Sequence, residues 1–365
     1  MLNLCYKLLM NYSSMFDLVR SLYTALSYNN RYGKALIPLR YFLELTYRCN
    51  LQCPYCYVGD ERNKQELSTE EWKSVINQIP FYGIITLVGG EPFLRSDFTE
   101  LLDYSCRKVF RKVHIVSNGI LLNEKIINSF KKNKPVLLSV SLDGYKENHD
   151  KNRGQSGIFD KIISNLGNLK IAVPNQMIDI KTIVLENNLD DLPKLYKLCN
   201  DMKFNFFSIS FLRNNNWKQN SCLQENFISE FNENYPIKKY FDMEHFKEIY
   251  REIEALSKHS KVKIRFSPKF EYAENTLKSI EKFFNISAET PVSEIYKPCL
   301  YPYSDIMINP EGFVYPCLSM KIGNVKEESI KSLYNKPKYC CFRKNLKASG
   351  GIFGACQMCC ECKLK

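Results

Sequence analysis

Three thiols stand close together in Cys49-Asn50-Leu51-Gln52-Cys53-Pro54-Tyr55-Cys56, at C-x3-C-x2-C spacing with an aromatic residue just before the last. Three thiolates so placed can hold three corners of an iron–sulfur cube, leaving the fourth iron open to a substrate or cofactor. Structural zinc would want four closed ligands, and no fourth Cys or His follows closely; the next are Cys106 and His114. Inert core cysteines are a poor reading of three thiols on one polar loop. Upstream, the apolar and aromatic run Arg40 to Thr46 reads as a buried strand. The cysteines therefore sit on a loop leaving the C-terminal end of a strand, where α/β folds place their sites.

Further groups follow at similar positions. Gly89-Gly90-Glu91-Pro92 comes directly after a second apolar run, Gly83 to Val88. Glycines let backbone approach a ligand closely, and a carboxylate beside them can accept hydrogen bonds from an ammonium group; a plain tight turn would use the same residues. Ser117-Asn118-Gly119 ends a third strand, and Ser139, Ser141 and Asp143 surround the end of a fourth. These suit ribose hydroxyls, and equally ordinary turn chemistry. His149, among polar residues, reads as a turn-stabilising side chain. Near the end of the chain, Cys299 and Cys317 bracket Gly312 as C-x12-G-x4-C, with a hairpin expected over Asp305 to Pro316 around a Pro-Glu-Gly turn. Cys356 and Cys359 can supply two more thiols. Four thiolates complete a 4Fe–4S cluster with no open iron or a zinc ribbon, and spacing leaves both open.

These groups need elements to position them. Ser68-Thr69-Glu70-Glu71 is a capping-box signature for a helix to about Gln78. Ser96 or Asp97 caps a second helix, to about Phe110, and Asn123 starts a third. Strands are expected at Lys112–Val116, Val136–Leu142, Asp179–Leu185 and Phe204–Leu212, with helices at 156–170 and Leu189–Met202. Six alternating β/α units argue for a parallel sheet with right-handed crossovers, able to curl into a partial barrel. The fold class expected is α/β, a partial (β/α)6 TIM-like barrel with a small cysteine-rich C-terminal module. Residues 1–39 form an N-terminal helical segment, 40–212 the barrel, 213–298 a linker with bridging helices and one strand at Lys261–Phe266, and 299–365 the cysteine-rich module.

The chain has 365 residues, 45% hydrophobic, with 51 basic against 39 acidic residues and a net charge of +12. The excess is spread through Lys-rich helices and loops, so a solvated surface is the reading and nucleic-acid binding is not expected. No apolar run approaches the roughly 20 residues of a membrane span. Eight of the fifteen cysteines fall at or beyond position 299; with no secretory signal in evidence, clustered cysteines in a reducing cytoplasm read as metal ligands. Cys5, Cys106 and Cys199 read as core residues, adjacent Cys340 and Cys341 as spare or buried thiols. Cys222, just past the last barrel strand, is a candidate hydrogen-atom donor.

The three-cysteine spacing, the Gly89–Pro92 tetrad one β/α unit later and the run Ser141-Leu142-Asp143-Gly144, His149-Asp150 and Arg153-Gly154 resemble the radical S-adenosylmethionine (SAM) enzymes. The C-terminal cysteines, with Ile330-Lys331-Ser332-Leu333-Tyr334 and Phe342-Arg343, resemble the SPASM/twitch extension found in one subgroup of them. The resemblance covers about residues 40–212 and 299–362. It implies a 4Fe–4S cluster on Cys49, Cys53 and Cys56 that binds S-adenosyl-L-methionine. The contacts implied are Tyr55, the Gly89, Gly90, Glu91 and Pro92 tetrad holding the SAM amino group, Ser117, Asn118, Ser141 toward the ribose and Arg153 toward the carboxylate. It further implies one auxiliary 4Fe–4S cluster on Cys299, Cys317, Cys356 and Cys359, since a full SPASM module continues past its C-x2-C pair with further spaced cysteines for a second cluster and this sequence shows none at that spacing; Cys362, within reach of Cys356 as Cys359 is, can replace Cys359. The activity implied is reductive SAM cleavage to a 5′-deoxyadenosyl radical, with an electron from a flavodoxin- or ferredoxin-like donor, and oxidative modification of a peptide or protein. Dehydrogenation or epimerisation of a small molecule such as a sugar or aminocyclitol is the second expectation. About 40 residues before the first strand are too few for the folded peptide-recognition domain of many peptide maturases. A non-catalytic iron–sulfur scaffold or electron carrier stands as a third reading.

Overall fold

A computed structural model describes residues 22–56, 58, 64–108, 110–212, 239–270, 276–287, 289–317, 320–356, 359 and 361–365. Eight parallel strands form the body of one sheet. They are β1 (Arg40–Glu44), β2 (Ile84–Val88), β3 (Lys112–Ser117), β4 (Leu137–Ser141), β5 (Ile178–Val184), β6 (Phe206–Phe211), β7 (Lys263–Ser267) and β8 (Asp305–Ile308). The order is β10-β9-β8-β1-β2-β3-β4-β5-β6-β7, with β9 (Phe313–Tyr315) and β10 (Gly323–Asn324) antiparallel. Between the strands run α1 (Thr69–Asn77), α2 (Phe98–Cys106), α3 (Glu124–Asn133), α4 (Glu147–Arg153), α5 (Ile158–Ala172) and α6 (Leu192–Asp201). Beyond β6 come α7 (Met243–Ser257), α8 (Thr276–Phe284) and α9 (Val292–Ile295), and beyond β10 come α10 (Ile330–Tyr334) and α11 (Pro337–Ala348).

Alternation along the strands sorts the residues by face. Tyr41, Leu43, Ile85, Leu87, Ile115, Leu138, Val140, Ile180, Phe207 and Ile209 are fully buried in one continuous core. The alternate positions are largely polar: Arg40, Glu44, Thr86, His114, Ser139, Ser141, Asp179, Lys181, Ser208 and Arg265. The register lays them side by side, with Ser141 opposite Lys181, Lys181 opposite Ser208 and Ser208 opposite Arg265. The apolar runs read from the sequence at Arg40 to Thr46 and Gly83 to Val88 therefore describe one face of their strands only.

Local signals placed the helices well. Ser68 Oγ accepts from Glu71 N at 3.3 Å while Glu71 Oε2 accepts from Ser68 N at 2.7 Å, a complete capping box. Asn123 caps α3 by accepting from Ile126 N at 3.1 Å. Asp97 precedes α2 without capping it, because its carboxylate is taken by Arg95 and Thr69, and the helix stops at Cys106 rather than near 110. Helix α4 went unread because it is short and wholly polar in sequence. Residues 213–298 do more than link: β7 extends the parallel sheet beyond six strands. On the other edge β8 pairs in parallel with β1, so the expected hairpin β8–β9 is part of the same sheet.

One buried cation fastens the C-terminal helices to the body. The Arg343 guanidinium, inaccessible to solvent, donates from Nε to Pro302 O at 2.8 Å and from Nη1 to Gly33 O at 3.1 Å. It lies 3.9 Å from the ring centroid of Tyr339 and 4.2 Å from that of Tyr334. Arg343→Met keeps much of the volume but orphans both carbonyls, and is expected to lower stability by about 2–4 kcal/mol. Urea unfolding checks this; a loss under about 0.5 kcal/mol would mean that the guanidinium fastens nothing.

Candidate active site

The cysteine loop leaves β1 and is held by the turn that leaves β2. Gly90 N donates to Thr46 O at 2.7 Å and Glu91 N to Arg48 O at 2.8 Å. A Cβ at Gly90 would lie 2.4 Å from Arg48 O, and one at Gly89, whose φ is +142°, 2.5 Å from Thr46 O. Both glycines are thus required by the approach of one backbone to another. Glu66 secures the same stretch, accepting from Thr46 Oγ1 at 2.6 Å and Tyr47 N at 2.8 Å.

Glu91 is fully buried. It accepts from Phe93 N at 3.0 Å, Ser117 Oγ at 2.9 Å and Asn118 N at 2.7 Å. Asn118 Nδ2 in turn donates to Asn50 Oδ1 at 2.8 Å, inside the cysteine loop. Ser117 and Asn118, expected at a ribose, are thus joined to Glu91 and to the loop. Burial pushes the Glu91 carboxyl up to about 7, against three hydrogen bonds that favour its ionised form. No cation pairs with it among these contacts.

Across the loop lies a second charged group. Asp143, also inaccessible, accepts from Tyr55 Oη at 2.6 Å and Ile183 N at 2.8 Å and pairs with Arg153 Nη2 at 2.5 Å. Arg153 Nη1 is 3.7 Å from Cys53 Sγ, and its Nε, buried, has no partner. His149 Nδ1 accepts from Asp143 N at 3.0 Å, which is the turn-stabilising role expected, although it sits on α4 rather than on a turn. Burial raises the Cys49 and Cys53 thiols, with Arg153 opposing this at Cys53.

Below these loops the polar strand face forms a hydrogen-bonded chain that the sequence analysis did not assemble. His114 Nε2 lies 2.9 Å from Ser139 Oγ, Ser139 Oγ donates to Asp179 at 3.0 Å, and Ser208 Oγ donates to Asp179 at 2.7 Å. Burial, with help from Lys181, Arg40 and Arg265, pushes His114 down to about 3, so its ring is neutral at physiological pH. The signal was present as Ser/Asp/Lys/His at every second strand position.

The C-terminal thiols also converge. Burial first, and then the neighbouring Cys356, Cys359 and Cys317, push the Cys299 thiol up, and Cys362 Sγ lies 3.7 Å from Cys356 O. The hairpin is tied to the first site: Asn309 Nδ2 donates to Tyr47 Oη at 2.7 Å, and Tyr47 Oη donates to Glu311 at 2.9 Å. The donor set, thiols alone in groups of three and four, fits iron–sulfur clusters. Cys199 is a core residue and Cys106 a partly buried one; Cys340 is buried with its thiol on Asn335 O, and Cys341 is exposed. Cys5 and Cys222 lie outside the described residues.

Because the Glu91 carboxyl ionises near 7 when folded and in the ordinary carboxylate range when unfolded, the folded chain holds the proton more tightly. Its contribution to stability is then lost as pH rises from about 4.5 to about 7, by about 3 kcal/mol. Glu91→Gln removes that dependence. Denaturant titrations of both cluster-free proteins at pH 5 and pH 8 check it: the advantage of the wild type over the variant should shrink with pH, and parallel behaviour would contradict the assignment.

Comparison with known proteins agrees with this geometry. A family model described as the radical SAM superfamily matches residues 43–199, and one described as an iron–sulfur cluster-binding domain, SPASM, matches residues 299–363. The AdoMet-dependent heme synthase of Methanosarcina barkeri is 28% identical over 337 residues, 88% of this chain and 90% of that protein. The antilisterial bacteriocin subtilosin biosynthesis protein AlbA of Bacillus subtilis is 26% identical over 313 residues, 82% of this chain and only 60% of AlbA. Among solved structures, Streptococcus suis SuiB bound to precursor peptide SuiA superposes with a TM-score of 0.63 at 17% identity, covering 97% of this chain and 76% of SuiB, which speaks for the fold. No helix among the described residues is long and apolar enough to cross a membrane. With both family models matched, the chain belongs to the radical SAM superfamily, as an enzyme with a SPASM iron–sulfur domain that works with a 4Fe–4S cluster and SAM.

Proposed function

We propose that this enzyme cleaves SAM at a cluster held by Cys49, Cys53 and Cys56 and carries out an oxidative modification of a peptide or protein, a cross-link or a dehydrogenation. The observation that carries the proposal is the joining of the cysteine loop, through Thr46, Arg48 and Asn50, to the buried Glu91 site. The bound cluster and SAM supply the radical chemistry; the protein supplies position and electrostatics. Glu91 accepts the SAM ammonium, whose charge brings its carboxyl back down and repays the cost of ionising it in the interior. Arg153, held by Asp143 and Tyr55, faces the SAM carboxylate, and Ser141 the ribose. Cys299, Cys317, Cys356 and Cys359 hold one auxiliary cluster, which suits an oxidation that releases an electron. The net charge of +12 favours an acidic flavodoxin- or ferredoxin-like donor.

Support for a peptide substrate comes from AlbA, whose name places it in bacteriocin biosynthesis. A second reading, a polar small molecule, is favoured by two observations. The heme synthase matches over 90% of its length, and the strand face below the loops carries His114, Asp179 and Lys181 rather than apolar side chains. A scaffold without catalysis would have no use for the ammonium site.

After anaerobic reconstitution the wild type should hold about eight irons, as two four-iron clusters, and make 5′-deoxyadenosine from SAM with dithionite. The Cys49/Cys53/Cys56→Ala variant should keep about four and make none. A wild type that binds zinc and leaves SAM intact would return the scaffold. Candidate leader-bearing peptides that change the rate of SAM cleavage favour peptide modification; a response confined to small carboxylated or hydroxylated compounds favours the second reading. Glu91→Gln should weaken SAM binding about tenfold or more, and the wild-type affinity should fall as pH drops from 8 to 6, as Glu91 takes up its proton.

A further inference from the structure

Residues 356–362 bring more sulfur to the auxiliary site than a four-iron cube uses. Cys299, Cys317, Cys356 and Cys359 already make four. The Cys362 thiol lies 3.7 Å from Cys356 O, one turn on from Cys359. It is 1% exposed, whereas Cys359 is partly accessible.

Its place is fixed from several sides. Cys362 N donates to Cys359 O at 3.1 Å, repeating the turn in which Cys359 N donates to Cys356 O at 3.0 Å. Cys362 O accepts from Lys269 N at 3.1 Å, just past β7, and Leu364 N donates back to Lys269 O at 3.2 Å. On the other flank Lys297 N donates to Lys363 O at 2.8 Å, two residues from Cys299. Glu361, next in the chain, pairs with Arg40 Nη2 on β1 at 2.9 Å, and Arg40 also pairs with Asp305 on β8. Backbone pairing on two sides and a partly buried ion pair thus press this thiol against the other sulfurs. Nothing of that kind holds Cys341, which is exposed on α11.

We propose that Cys362 is a fifth ligand of the auxiliary cluster, interchangeable with Cys359 on the same iron. The exchange is balanced without a redox partner: the Cys362 thiol gives up its proton as its sulfur binds iron, and Cys359 leaves the iron and takes a proton up. The cluster keeps its charge and oxidation state. What changes is the setting of the ligating sulfur, in dry interior for Cys362 and nearer solvent for Cys359, and with it the hydrogen bonding and exposure that tune the cluster. The inference rests on the reading that the C-terminal thiols hold a cluster.

The test uses the full chain carrying Cys49, Cys53 and Cys56→Ala, so that only auxiliary iron is counted, and Cys360→Ala, so that no neighbour stands in. Into it go Cys359→Ala, Cys362→Ala and both together, reconstituted anaerobically without added thiol. Iron and sulfide are counted, and electron paramagnetic resonance (EPR) spectra are recorded after dithionite reduction. Each single variant should keep about four irons, with EPR signals that differ from each other, and the double variant should lose the cluster. Loss of the cluster in either single variant would overturn the proposal by making that cysteine a dedicated ligand; so would a double variant that keeps four irons. Cys359→Ser and Cys362→Ser, which preserve volume, and circular dichroism of the iron-free forms separate ligand loss from misfolding. If the background itself takes up no iron, it is the cluster reading that fails.

Discussion

The absence of side chains at Gly89 and Gly90 is the constraint on which the site depends. It lets the turn after β2 lie against the backbone leaving β1 closely enough for two direct main-chain hydrogen bonds. The same contact sets where Cys49 begins and where Glu91 points. Glu91 then gathers Ser117 and Asn118 from the end of β3, and Asn118 returns to Asn50 in the cysteine loop. A single added methyl group would meet a carbonyl oxygen at 2.4 or 2.5 Å and open that circuit.

The second organising feature is how charge is held in the interior. Burying an ion is tolerated when it is paired and its remaining hydrogen-bonding capacity is met. Arg40 with Asp305 and Glu361 follows that rule, while Asp143 with Arg153 and Tyr55 is paired but leaves the buried Arg153 Nε without a partner. Glu91 and Asp179 do not: each is satisfied by hydrogen-bond donors alone, without a cation. Glu91 is held by Phe93, Ser117 and Asn118, and Asp179 anchors a polar chain across four strands. Tyr47, Asn309 and Glu311 extend the same economy to the C-terminal hairpin, tying the second cysteine set to the loop that carries the first.

Much of this was readable locally. Cysteine spacing, the Gly-Gly-Glu-Pro turn, the capping box at Ser68 and the cap at Asn123 each arise from residues within a few positions of one another, and each appeared where expected. The limits have physical causes. Helix α4 has no apolar stripe, since it packs by the polar contacts of His149 and Asn152. The extent of α2 was overstated at its C-terminal end, where the chain turns, Arg111 N donating to Lys108 O at 3.0 Å, to enter β3 at Lys112.

The sequence by itself determined the chemical groups: thiols in sets of three and four, a carboxylate after paired glycines, and alternating β/α units to carry them. Those are properties of residue types at short spacing, and no distant contact is needed to give them meaning. Only the tertiary structure decided that β7 and β8 extend the sheet at both ends, that Ser117 and Asn118 serve Glu91, and that residues 362–364 are fixed beside Lys269 and Lys297. Each of these depends on pairing between segments far apart in the chain, as when Lys269 and Lys297 grip residues 362–364. Such pairing is chosen by the packing of the whole molecule, which no local pattern encodes.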